Sequence, residues 1–347
     1  MTTKHKVAVI GGGSFGTAIA NIIADNGHDI CQWMRTPERV KEVNEQHTNE
    51  VYLPGISLNP ALRASADLRE TVAGCDTVFF SIPSKSSREV ARQLADCIAP
   101  GTILISTTKG IEFETNKLMS EVLLEELPQV RVGILSGPNL AKELAARMIT
   151  GTVVASKDPG VTSTIQDLLQ CSYFRVYAGS DMYGVELAGA LKNVYAITAG
   201  MAAALGCGPN TISMLITRSL AEMSRYAVIK GADPLTFLGL AGVGDLFVTC
   251  TSPLSRNYRV GFELGQGRDL NEVVASLGQV AEGVNTLRLM KEQSELLDIY
   301  MPLVHGLYDI IYNGCKVGDV IGTMMCAEQK RDEEFTMKRQ KTPVPLN

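Results

Sequence analysis

The feature that most narrows the fold is a short apolar run, Lys6-Val-Ala-Val-Ile10, leading straight into Gly11-Gly-Gly-Ser-Phe-Gly16 and then into helically spaced residues up to Asp25. By length and β-branching the run predicts a buried parallel strand. Gly11, Gly13 and Gly16 have the spacing G-x-G-x-x-G in a strand-to-helix setting, where each glycine has its own task. The first makes the turn, the second lets the backbone approach a pyrophosphate, and the third lets helix pack on strand. The pyrophosphate then sits on the helix N-terminus. Dinucleotide binding is the expectation, with Ser14 and Phe15 at the phosphate end.

Further strands are predicted at 29–33, 77–82, 102–107, 131–135, 152–155 and 174–177, with helical spacing between them at 37–47, 84–97, 114–126, 139–146 and 159–170. Such alternation reads as a doubly wound sheet. Beyond Asp181 the strand signals stop, and helices are predicted at 181–206, 209–230, 255–266, 282–294 and 302–313. The expected architecture is α/β: a Rossmann-like doubly wound sheet over 1–180, an all-helical domain over 181–327, and a frayed tail over 328–347.

Composition excludes several classes. A net charge of −5 argues against wholesale nucleic-acid binding. The eight cysteines form no C-x-x-C pair and the four histidines are scattered, so no metal site is expected and the thiols read as reduced and buried in a cytoplasmic protein. Only a few residues precede the first predicted strand, so no signal peptide is expected. Residues 193–217 carry no charge, long enough to span a bilayer, but Gly206-Cys-Gly-Pro-Asn210 breaks the run. Two buried helices and no membrane span are expected.

Polar residues at predicted strand ends face the ligand crevice of such a sheet. The tip of the second strand reads Trp33-Met-Arg35-Thr36 with no acid before Glu38. Arg35 suits a 2′-phosphate, so NADP is expected to be accepted alongside NAD. Lys109 ends one strand beside Gly110, and Ser136-Gly-Pro-Asn139 ends another, with Asn139 or Ala141 opening a helix.

In the second half Lys192 is, apart from Glu186, the one charge in an apolar helix, with Asn193 next to it. A lysine there must snorkel, pair or face a polar cleft. A later stretch, Gly239-Leu-Ala-Gly-Val-Gly-Asp245 through Ser255-Arg-Asn257, reads as a glycine-rich connector aiming Asp245 into a cleft. Ser255 caps the following helix, and Arg256 and Asn257 offer donors to an anion at its start. Val280-Ala-Glu282 opens another helix, where Glu282 is placed to reach the cofactor.

Gly11 to Ala18, Leu191-Lys-Asn193, Gly242-Val-Gly-Asp-Leu-Phe-Val-Thr-Cys-Thr-Ser-Pro-Leu-Ser-Arg-Asn257 and Glu282-Gly283 resemble the bacterial-type NAD(P)-dependent glycerol-3-phosphate dehydrogenases over nearly the whole chain. The resemblance implies interconversion of dihydroxyacetone phosphate and glycerol 3-phosphate for phospholipid synthesis, with Lys192 as proton donor and acceptor. It implies that Lys109, Gly137, Asn139, Lys192, Asn193, Asp245, Thr249, Ser255, Arg256 and Asn257 serve substrate and catalysis. It further implies that Ser14, Phe15, Arg35, Lys109, Ala141, Arg256, Val280 and Glu282 touch the cofactor, and that the enzyme is a homodimer.

Overall fold

A computed structural model describes residues 4–276 and 282–326. Eight strands form one sheet: β1 (Lys6–Ile10), β2 (Asp29–Trp33), β3 (Arg63–Ser65), β4 (Thr77–Phe80), β5 (Ile103–Ser106), β6 (Arg131–Ser136), β7 (Thr150–Ala155) and β8 (Phe174–Gly179). Their order is β3-β2-β1-β4-β5-β6-β7-β8, so the chain reverses direction across the sheet between β1 and β4. Helices α1 (Ser14–Asp25), α2 (Pro37–Gln46), α3 (Leu68–Val72), α4 (Ser84–Ala95), α5 (Met119–Glu126), α6 (Ala141–Ala145) and α7 (Pro159–Leu169) connect them. Val7 to Ile10 are fully buried, as expected of a strand covered on both faces.

All pairs are parallel except β6 and β7, which run antiparallel. The cause is the five-residue α6, about 7 Å long and too short to carry the chain back along the sheet. The three-residue β3 and five-residue α3, absent from the sequence reading, are too short to show a period.

The second half holds α8 (Met182–Ala204), α9 (Pro209–Ile229), α10 (Asp245–Thr251), α11 (Arg256–Gly265), α12 (Leu270–Ser276), α13 (Glu282–Leu296), α14 (Pro302–Tyr312) and α15 (Val317–Met325). Among the described residues no strand follows Gly179. The axis of this lobe is α8, buried along most of its length. A Cβ on Gly261 would overlap the Ile197 carbonyl and one on Gly200 the Tyr258 carbonyl, so α8 and α11 cross with their backbones touching. Gly283 does the same for α13, where a Cβ would stand 2.5 Å from the Asn193 oxygen.

Two expectations are corrected, and one about the uncharged stretch is met. The glycine-rich connector is instead a π-helical turn, Leu240–Gly244, running into α10. Gly242 serves packing: a Cβ there would collide with the Phe237 backbone. The cysteines are all free, but only Cys75 and Cys250 are buried, while Cys315 and Cys326 are exposed. The uncharged stretch does break: α8 ends at Ala204, Gly206 takes φ +74°, and α9 starts at Pro209. No described helix is long and apolar enough to cross a membrane. The tail at 328–347 lies outside the described residues.

Candidate active site

The glycine loop follows β1 at the C-terminal edge of the sheet, and its three signature glycines answer to three different constraints. Gly11 has φ +124°, and a Cβ on it would run into the Ser81 carbonyl. A Cβ on Gly16 would stand 2.5 Å from the Gly11 oxygen, so it is the residue that lets α1 settle on β1. A Cβ on Gly13 meets nothing within 4 Å. Gly13 is the N-cap of α1 and gives it no side-chain hydrogen bond, which leaves the helix N-terminus open to an anion. The residues present therefore fit a dinucleotide pyrophosphate.

Around this loop, Phe15 packs against the core and the Ser14 hydroxyl donates to the Tyr52 carbonyl at 2.9 Å. Arg35 is exposed just past the end of β2. Ala141 opens α6. Glu282, the first residue of α13, comes from the helical lobe to Ser84 at the start of α4, whose hydroxyl donates to it at 3.3 Å. Burial raises its carboxyl, against hydrogen bonds from Ser84 and the nearby Arg256 charge. Val280 lies outside the described residues.

Where α8 passes the ends of β5 and β6, two ammonium groups share one carboxylate. Lys192 Nζ donates to Asp245 Oδ1 at 2.5 Å and to Thr249 Oγ1 at 2.7 Å. Lys109 Nζ donates to Asp245 Oδ2 at 2.8 Å and to the Gly137 carbonyl at 2.9 Å. Asn193 Nδ2 in turn donates to the Lys109 carbonyl at 3.2 Å, tying the strand tip to α8. Thr249 donates its own proton to the Asp245 carbonyl, one turn back in α10, so its oxygen is free to accept from Lys192.

Lys192 is 6% exposed and Asp245 1%. Burial draws the Lys192 ammonium down to about 8; the Asp245 charge opposes that shift and the Lys109 charge adds to it. A lysine so placed gives up and regains a proton near neutral pH.

Gly189, one turn before Lys192, makes room for this arrangement. A Cβ there would stand 3.0 Å from Ser136 Oγ and 3.5 Å from Lys109 Cγ. Gly137 has φ +144° and lies against Thr152. Asn139 Nδ2 donates to Thr152 Oγ1 at 2.8 Å, while its buried Oδ1 has no hydrogen-bond partner among the described residues.

Of the predicted residues, Lys109, Gly137, Lys192, Asn193, Asp245 and Thr249 thus meet at one point. The anion clamp is less simple than the sequence reading had it. Ser255 caps α11 through the Tyr258 amide, and Asn257 Oδ1 is engaged by the Gly283 amide at 3.2 Å. Arg256 is exposed at the first position of α11.

Two groups of residues were given no role by the sequence reading. Gln32, Asn49 and Thr17 form a buried polar network beneath the glycine loop. A glutamine inside the apolar strand 29–33 was the available signal. Glu186 and Glu222 are buried carboxylates that accept backbone amides near the starts of α5 and α14: Ser120 N at 2.9 Å, and Leu303 N at 2.7 Å.

A Rossmann-like sheet with an open helix N-terminus, joined to a helical lobe that delivers a buried lysine to the strand ends, defines the class of two-lobed dinucleotide-dependent oxidoreductases. Family comparison narrows this. The NAD-dependent glycerol-3-phosphate dehydrogenase N-terminus matches residues 6–162 and its C-terminus residues 181–322. The chain belongs to the NAD-dependent glycerol-3-phosphate dehydrogenase family and is an oxidoreductase. It is 55% identical over 335 residues to a Pseudomonas fluorescens protein named glycerol-3-phosphate dehydrogenase (NAD(P)+), covering 96% of this chain and 98% of that one. Among solved structures, glycerol-3-phosphate dehydrogenase from Coxiella burnetii is 34% identical with a TM-score of 0.87, covering 93% of this chain and 99% of that one. The enzyme of the same name from Saccharomyces cerevisiae is 29% identical with a TM-score of 0.82, with the same coverage.

Proposed function

We infer that the protein catalyses the reversible NAD(P)H-dependent reduction of dihydroxyacetone phosphate to sn-glycerol 3-phosphate, feeding glycerophospholipid synthesis. The observation that carries this is the buried Lys192 ammonium held between Asp245 and Thr249 at the strand ends. The relatives named above are glycerol-3-phosphate dehydrogenases by name, the Pseudomonas fluorescens one with NAD(P)+, which supports the same assignment.

When bound, the nicotinamide cofactor supplies the hydride. The glycine loop and the start of α1 hold its pyrophosphate, and Arg35 suits a 2′-phosphate on the adenosine ribose. Glu282 stands at the seam between the lobes to meet the cofactor's other end. Lys192 donates a proton to the ketone oxygen of the substrate as negative charge grows there, help worth roughly 10²–10⁴-fold. Asp245 keeps that ammonium oriented, and Lys109 and Asn193 add positive potential and a donor at the same oxygen. Arg256, with Ser255 and Asn257 at the start of α11, holds the phosphate, and Gly137 and Asn139 border the substrate. In the reverse direction neutral Lys192 takes the proton from the alcohol.

We further read the chain as dividing near residue 180, which the end of β8 at Gly179 and the start of α8 at Met182 support. The enzyme is read as a cytoplasmic homodimer that binds no nucleic acid and needs no metal.

Initial rates with dihydroxyacetone phosphate, in NADPH and NADH side by side, against a panel of keto acids, test the substrate. Turnover confined to the keto acids overturns the assignment. Lys192→Ala tests the centre: kcat should fall by roughly 10²-fold or more with cofactor affinity kept.

A further inference from the structure

The backbone of the glycine loop is held from below by two fully buried carboxamides. Gln32 Nε2, from β2, donates to the Gly11 carbonyl at 2.8 Å, and Asn49 Nδ2, from the segment after α2, donates to the Gly12 carbonyl at 3.0 Å. Both also donate to Thr17 Oγ1, at 3.1 and 2.9 Å, and Gln32, Asn49 and Thr17 are each 0% exposed. The Gly13 carbonyl is taken by the Thr17 amide at 2.9 Å, the first turn of α1.

A trans peptide unit points its N–H opposite to its C=O. Three carbonyls fixed inward therefore fix the N–H groups of Gly12, Gly13 and Ser14 outward, on the face that Gly13 leaves open. The segment carrying Asn49 is itself fastened. His47 ends α2 at φ 54°, the Leu58 amide closes onto the His47 carbonyl at 2.7 Å, and Ser14 Oγ donates to Tyr52 O from the loop side.

We propose that Gln32 and Asn49 are positioning residues for the dinucleotide, aiming loop amides at its pyrophosphate by holding the carbonyls of Gly11 and Gly12. This rests on the reading that the loop binds a dinucleotide. Neither side chain touches the ligand; each acts through a peptide plane. Preorganised donors bind an anion without the ordering cost that a loose loop would bear. Neutral carboxamides suit the task, because they do not titrate and add no buried charge.

The test is NADPH binding to the full-length protein by fluorescence titration, together with steady-state kinetics, for Asn49→Ala and Gln32→Met. Each should weaken NADPH about tenfold, the scale of one lost buried hydrogen bond. The substrate KM, and kcat at saturating NADPH, should stay within about twofold. A cofactor affinity within about twofold of wild type in both folded variants overturns the proposal. So does a joint loss of kcat and of both affinities, the signature of general unfolding. If Asn49→Ala does not fold, Gln32→Met, which keeps side-chain volume, decides alone. Asn59→Ala, on the same segment but bonded outward to Asp25, should bind NADPH as wild type does. Gly13→Val separates the underlying reading, since a Cβ there meets nothing within 4 Å in the protein. Wild-type NADPH affinity in that variant removes the loop from dinucleotide binding, and this inference with it.

Discussion

The two lobes treat buried polarity differently. Among the described residues up to Gly179, the buried polar side chains are neutral apart from Glu112, which is paired with Arg88 at 2.7 Å. The helical lobe buries Glu186, Lys192, Glu222 and Asp245. The sheet lobe orders backbone amides with uncharged carboxamides, so its grip on the cofactor should vary little with pH. The helical lobe confines charge, which costs desolvation but brings Glu186, Lys192 and Glu222 to ionise nearer neutrality. On the proposed mechanism, the pyrophosphate is held on the sheet side of the seam and the proton-donating Lys192 comes from the helical side.

The largest effect is expected from Asp245→Asn, which leaves two ammonium groups facing each other without their shared counter-ion. Unfolding free energy should drop by roughly 3–5 kcal/mol, measured in denaturant, and kcat by on the order of 10²-fold. The Lys192 proton, no longer favoured by that charge, should be released at lower pH. Near-wild-type stability would mean that the lobe does not rely on this carboxylate. Arg256→Ala should mainly raise the KM for the phosphorylated substrate, by roughly 10–100-fold, with kcat less affected. An unchanged KM would place the phosphate elsewhere.

Stability should carry the same asymmetry. Burial pushes Glu222 up to about 8 and Glu186 up to about 7. The folded state therefore holds these protons more tightly than the unfolded chain does. Their contribution is complete below about pH 4.5 and is lost as pH rises through 7 and then 8. Lys192 has the opposite sign: its contribution is present above about 10.5 and lost as pH falls through 8. Denaturant unfolding from about pH 5 to pH 8 should show falling stability, and Glu222→Gln should shrink that fall by roughly 1–3 kcal/mol. An identical slope in the variant would mean that Glu222 keeps an ordinary acidity.

What the sequence disclosed follows from how each feature interrupts its surroundings. Gly13 breaks a strand-to-helix pattern, and Lys192 is a charge in an apolar helix, so both could be read without coordinates. The meeting of Lys109, Asp245 and Thr249 with Lys192 depends on three separate segments converging, the tip of β5, α8 and α10, and the residues' own spacing does not encode it. Asn49 lies in an irregular segment where an asparagine is ordinary, so its hydrogen bond to Gly12 gave no signal. Gly242 misled for a physical reason: glycine serves close packing as readily as turning, and only the Phe237 backbone beside it tells which. The β6–β7 reversal depends on the length of α6, which lies within the boundary error of any pattern reading.

The central claim is that a buried lysine shared with one carboxylate delivers the proton. Its most direct test is the pH dependence of kcat/KM for dihydroxyacetone phosphate reduction, which reports groups of the free enzyme. The rate should fall as pH rises through about 8, where Lys192 loses its proton. A profile that stays level to about pH 10, the ordinary range of a solvated lysine, would contradict the account.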